Sequence, residues 1–151
     1  MVNDTINQWL AKGSAGNANK PALVFGDVSL TYAELDALSN RVANHLVTTG
    51  VEQGDAVGIC LDRSIELVAV LLGILKAGAA YVPLDPAYPV ERLGMMAEDA
   101  RLKRVVVHAS NVNRLGDIGS GLLIWEEHRD AISAESDSFS ALEIRPEDVA
   151  Y

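Results

Sequence analysis

Apolar residues along this chain fall into two rhythms, and the changes from one to the other mark its elements. From Leu35 through Leu38 and Val42 to Leu46 they recur at three and four residues, the single stripe of an amphipathic helix. Thr31 followed by Glu34 is a capping box that starts this helix, because the hydroxyl accepts from the third backbone N–H while the carboxylate reaches back to the cap N–H. Gly50 supplies its stop. Upstream, Ala22–Phe25 and Val28–Leu30 are two short apolar runs around Gly26-Asp27, which predicts a hairpin. A short helix is expected around Ile6–Leu10, followed by a Gly/Ser/Asn-rich loop from Gly13 to Asn19.

Downstream the pattern changes. Ala56–Leu61 is a continuous apolar run suited to a strand buried on both faces. Ser64 can cap a second helix, Ile65–Ala77, which is apolar nearly all round and is therefore expected to lie deep between other elements, with Gly78 ending it. Tyr81–Leu84 is a short extended piece whose Pro83 lacks an N–H donor, so it is expected at a sheet edge or incompletely paired. Pro89 suits the first turn of a third helix, Val90–Arg101, and Arg104–Val107 and Gly121–Trp125 read as further strands. The polar stretch Glu126–Ser140 is expected to be a surface loop, and Val149–Tyr151 to begin a strand. Strands alternating with helices predict an α/β fold, a mostly parallel sheet with helices on both faces.

Composition bounds the partners. The chain has 151 residues, 12 Lys and Arg against 21 Asp and Glu, and a net charge of −9, which argues against nucleic acid or an anionic membrane surface as a partner. Nine of the acidic residues and only two arginines lie between Asp117 and Tyr151, so the acidity is concentrated in the last stretch. The longest apolar run, Leu67–Leu75, is half of the roughly 18 residues a bilayer span needs. The single cysteine, Cys60, has no partner for an internal disulfide, and with no secretory leader at Met1 the expected compartment is a reducing cytoplasm.

Candidate chemistry is sparse. Doubly wound sheets hold phosphates on Gly-rich turns ahead of helix N-termini, yet the turn after Val57–Leu61 is Asp62-Arg63-Ser64 and the one after Val105–Val107 is His108-Ala109-Ser110, neither with a glycine. Gly116–Gly121 is a Gly cluster without a following Lys, ahead of a strand, and reads as a turn. Cys60, inside an apolar strand, is expected to be inert packing. His45, His108 and His128 share no ligand spacing and are read as surface or helix-edge residues. Asp62, Glu66 and Asp85 stand near strand ends, where capping and turn roles explain them as well as catalysis does. Trp9, Trp125 and the four tyrosines are too dispersed to stack bases.

Two segments carry a more specific signal. LTYAELD, Leu30–Asp36, and LKAGAAYVPLDPAYPVERL, Leu75–Leu93, resemble the first two core motifs of amino-acid adenylation domains of nonribosomal peptide synthetases, a branch of the adenylate-forming superfamily that also holds acyl-CoA ligases and luciferases. The resemblance runs from about Pro21 to Tyr151 through PALVFGD, GVEQGDAVGICLDRSIELV and RPEDVAY. It implies a flavodoxin-like N-terminal subdomain, with residues 1–20 as a helix and loop and 21–151 as the N-terminal portion of the adenylation core, cut before the phosphate loop.

The family implies ATP- and Mg²⁺-dependent activation of an amino acid, whose carboxylate attacks the α-phosphate, and transfer of the acyl group to the phosphopantetheine thiol of a peptidyl carrier protein. The implied partners are the rest of the adenylation domain, that carrier protein and an MbtH-like helper. The family's phosphate loop with its Lys, amino-group acid, ribose-binding Asp and C-terminal Lys have no matching positions here, so no catalytic, cofactor or metal residue is assigned, and this stretch alone is expected to be inactive. Three alternatives stay open: a non-enzymatic α/β interaction module, one half of a split adenylation enzyme, and a small flavodoxin-type nucleotide-binding protein.

Overall fold

The computed structural model describes residues 5–116 and 121–139. Two capping boxes open its first two long helices. In α1, Ile6–Ser14, Thr5 accepts from the Gln8 N–H while the Gln8 side chain accepts from the Thr5 N–H; in α2, Tyr32–Thr48, Thr31 and Glu34 do the same at 3.2 and 2.8 Å. The first of these helices runs on through Gly13 and Ser14, beyond the expected Ile6–Leu10. Between them β1, Pro21–Phe25, and β2, Val28–Thr31, form the expected antiparallel hairpin, turning at Gly26 with φ +59°.

The main sheet is parallel throughout. β3, Ala56–Cys60, pairs on one side with β4, Ala80–Pro83, and on the other with β5, Arg104–Val107, which in turn pairs with β6, Leu122–Ile124. The order β4-β3-β5-β6 is, counted from the first strand of this sheet, 2-1-3-4, the start of the flavodoxin-like winding. β4, with Pro83 opposite Ile59, lies at the edge of the described sheet, as a strand limited by proline should.

Alternation along the strands divides two cores. Val57, Ile59 and Leu61 with Val106 and Leu123 point to one face, where they meet Val42 and Leu46 of α2, Val70 and Ile74 of α3 (Ile65–Lys76) and Trp125 and Ile132 of α5 (Trp125–Ala134). Cys60, Val105 and Val107 point to the other face, against Leu93 of α4 (Val90–Ala100) and Leu115 after the 3-10 helix Ala109–Arg114. A third cluster packs α1 and the hairpin onto the outer side of α2 and α3 through Leu10, Leu23, Leu30, Leu35, Ala69 and Leu72. α3 is therefore covered on two sides, which is why its sequence is apolar nearly all round.

Glu126–Ser140, expected as a loop, is a correction: α5 occupies its first part. Glu126 and Glu127 in the first turn suit the positive end of the helix dipole, and only Trp125 and Ile132 are buried, too few to make an apolar stripe. Trp125 accordingly begins this helix instead of ending β6. The middle of the Gly116–Gly121 turn and the strand expected at Val149–Tyr151 fall on residues 117–120 and 140–151, outside the described residues.

Gly73 sets the approach of α2 to α3. A Cβ there would stand 2.5 Å from Val42 Cγ1 and 3.1 Å from the Ser39 carbonyl oxygen, so a side chain has to force the helices apart. Gly73→Ala is expected to destabilise the fold by about 1–3 kcal/mol despite its better helix propensity. A urea midpoint that falls in Gly73→Ala and is largely restored by adding Val42→Ala checks this.

Candidate functional site

In an open α/β sheet the place for a ligand is the crevice at the carboxyl ends of the strands, where neighbouring crossovers leave on opposite faces. Here the chain leaves β3 into α3 on one face, and leaves β5 toward the 3-10 helix on the other. The crevice is thus flanked by Asp62 after β3 and His108 after β5.

It is filled by the chain itself. The Asp62 backbone N–H donates to His108 Nδ1 at 3.1 Å, and the Asn111 side-chain amide donates to Asp62 Oδ1 at 3.2 Å and to the Cys60 carbonyl at 3.5 Å. Asn111 is buried, and its backbone N–H donates to the His108 carbonyl at 2.9 Å. Because Nδ1 of His108 accepts, this ring holds its proton on Nε2 when neutral. The exposed Glu126 carboxylate accepts the Ala109 N–H at 2.8 Å. Partial desolvation works to raise its pKa, but the backbone N–H groups of Ala109 and Glu126 and the neighbouring His108 prevail and hold it below the ordinary value.

The other candidates are likewise committed to the backbone. Ser64 accepts the Leu67 N–H as the cap of α3, and Asp85 accepts the Ala87 N–H at 2.9 Å in the turn after β4. Glu66 lies in the first turn of α3, where its charge suits the helix dipole. Burial, then the charges of Asp62 and Asp85, push the Cys60 thiol up to about 11, so the sequence expectation of inert packing agrees with its surroundings. Among the described residues no three His, Cys, Asp or Glu side chains gather to hold a metal.

The fit to a nucleotide can be tested directly. A phosphate needs several free backbone N–H groups at a Gly-rich turn. The Asp62 N–H is taken by His108, the Leu67 N–H by Ser64 and the Ala109 N–H by Glu126. These three N–H groups are therefore not free to bind a phosphate. An open cleft of about 470 Å³ borders the same rim on the β4 side of β3, lined by Leu61, Asp62, Arg63, Tyr81, Pro83 and Asp85 among others.

His45 and His128 correct the sequence reading. The fold brings them to 3.0 Å, Nε2 to Nδ1, and buries His45 on the inner side of α2. Their separation of 83 residues hides this contact from any spacing rule. Asn111 was also missed, since nothing in Ala109-Ser110-Asn111-Val112 distinguishes a buried amide from an ordinary loop residue.

With this geometry in view, comparison with known proteins decides the family. The family model described as AMP-binding enzyme matches residues 10–151. The chain belongs to the AMP-binding enzyme family. One of the linear gramicidin synthase proteins of Brevibacillus parabrevis is 37% identical over 146 residues, covering 97% of this chain and 3% of that protein. One of the plipastatin synthase proteins of Bacillus subtilis (strain 168) is 33% identical over 150 residues, covering 99% of this chain and 6% of that protein.

Among solved structures, VinN superposes with a TM-score of 0.91 at 24% identity, covering 99% of this chain and 40% of its own, which shows the fold. ATP-bound MatB from Rhodopseudomonas palustris gives 0.86 at 28% identity, covering 99% of this chain and 31% of its own. This AMP-binding chain thus spans only a small part of its relatives: 3% and 6% of the two synthetases, and less than half of the two solved chains. No helix of the described residues is long and apolar enough to cross a membrane.

The buried thiol gives a direct check on the strand-end region. With its pKa raised from 9.0 to about 11, Cys60 is expected to react with iodoacetamide at about pH 8 on the order of a hundredfold more slowly than an exposed cysteine, from the thiolate fraction alone. Mass spectrometry of the native protein over a time course measures this, and rapid labelling would contradict the placement.

Proposed function

We propose that this chain is the N-terminal α/β portion, residues 21–151 preceded by a helix and loop over 1–20, of an enzyme that activates an amino acid with ATP as an aminoacyl adenylate. The acyl group passes to the phosphopantetheine thiol of a peptidyl carrier protein. The observation that carries this reading is the similarity to peptide synthetases along nearly the whole chain, together with the motif Leu75–Leu93. In the fold that motif is architectural: it ends α3, forms the proline-limited edge strand β4 and turns through Asp85 into α4. The identity with ATP-bound MatB supports ATP as the co-substrate.

In this reading the present residues supply a rigid floor, and the groups that bind phosphates, Mg²⁺ and the amino acid belong to the remainder of the enzyme. Asp62, Asp85, His108 and Asn111 hold strand-end loops in register through the hydrogen bonds given above. The partners are the rest of the adenylation domain, the carrier protein and an MbtH-like protein, in the cytoplasm.

Amino-acid-dependent ATP–pyrophosphate exchange tests the proposal. The intact enzyme is expected to exchange label with an amino acid and the 151-residue chain by itself to give none. Exchange by the intact enzyme that responds to aryl or fatty carboxylates and to no amino acid would overturn the substrate class. Exchange by the chain alone would overturn the division of labour.

A further inference from the structure

Helix α5 meets α2 through one polar contact set in an apolar wall. His45 Nε2 and His128 Nδ1 lie 3.0 Å apart, the rings edge to face with centroids 5.2 Å apart, and His45 is only 7% exposed. α3, β5 and β6 present Val70, Val106 and Leu123 to this place, and α5 adds Trp125 and Ile132. The titratable groups that face His45 are His128 from α5 and Glu135 just past its end, whose Oε1 is 3.7 Å from His45 Nδ1. On α2 itself Arg41 stands one turn earlier, its Nε buried. His45 Nδ1 has no hydrogen-bond partner among the described residues.

One proton on the facing nitrogens makes this contact and two destroy it. While either ring is neutral, an N–H on one side donates to a lone pair on the other. When both rings are imidazolium, both facing nitrogens carry hydrogens, and two like charges stand together with the His45 ring buried. Burial, and next the charge of His128, already lower the basicity of His45 below its ordinary value, with the Glu135 carboxylate opposing them.

The release would extend past the helix. Asn40 donates to the Asp137 carbonyl at 2.8 Å, and Asn44 donates to the carbonyls of Ser136 and Ser138 at 2.9 and 3.0 Å, so the segment after α5 is strapped to the same face of α2. We propose that the His45–His128 contact is a proton-sensitive latch, and that a second proton on the pair frees α5 and residues 135–138 from α2.

The direction follows from linkage. The docked state excludes a proton that the released state accepts, so docking is intact above about pH 6.5 and weakens as pH falls through that value. One excluded proton against a released-state pKa of about 6.5 raises the opening equilibrium about tenfold between about pH 7.5 and 5.5.

Hydrogen exchange of peptides covering Trp125–Ala134 in the intact protein, corrected for intrinsic exchange rates, reads this opening. The latch predicts about a tenfold loss of protection over that pH range in the wild type. In His45→Gln, which keeps an amide at the position of Nε2 but takes up no proton, the loss is expected to fall below about threefold. A full loss persisting in His45→Gln, or none in the wild type, overturns the latch. Imidazole NMR titration of the wild type decides independently if the variant fails to fold: one ring staying neutral to about pH 5.5 while α5 remains docked supports the latch, and two rings both titrating near 6.5 with α5 docked contradict it.

Discussion

Everything in this fold hangs on β3. It accepts parallel neighbours on both edges and buries side chains on both faces, with Val57 and Ile59 in one core and Cys60 in the other. A strand so placed leaves no room for polar side chains and only a narrow choice of volume. Gly58 shows the limit: a Cβ would stand 2.8 Å from Leu102 Cδ1 and 3.1 Å from Leu84 Cδ1. Crossovers from β3 to β4 and from β4 to β5 then cover opposite faces, and the parallel pairing leaves the C-terminal ends of all four strands on one rim.

That rim is where the fold would offer a ligand its place, and between β3 and β5 the chain closes it with its own hydrogen bonds. Asp62 and Asp85, which the sequence reading left ambiguous, and His108, which it took for a surface or helix-edge residue, each satisfy a backbone group or another side chain. A phosphate cradle needs the opposite arrangement, with free N–H groups converging on an empty point. In the function proposed above, this portion is a support for chemistry carried by other residues.

Legibility in the sequence followed the range of the interactions. The Thr31–Glu34 capping box, the Gly26-Asp27 turn, the apolar run of β3 and the proline in β4 are local signals, and each element they predicted is present. α5 was hidden because two buried residues, Trp125 and Ile132, anchor it among acidic neighbours, so its helical face leaves no stripe. The contacts of His45 with His128 and of Asn111 with Asp62 join residues 83 and 49 apart, and only the completed winding brings them together. Cys60 is buried, as its place in a continuous apolar run predicts.

The central claim is that the carboxylates at this rim are structural. Asp62→Asn with Asp85→Asn removes both charges yet keeps oxygens that can accept from Asn111 and from the Ala87 N–H. In the intact enzyme this double variant is expected to retain kcat/KM for amino-acid-dependent pyrophosphate exchange within about threefold, since no charge that stabilises a transition state is lost. A fall of about a thousandfold with the melting temperature unchanged would place a catalytic or metal-binding carboxylate at this rim and contradict the account.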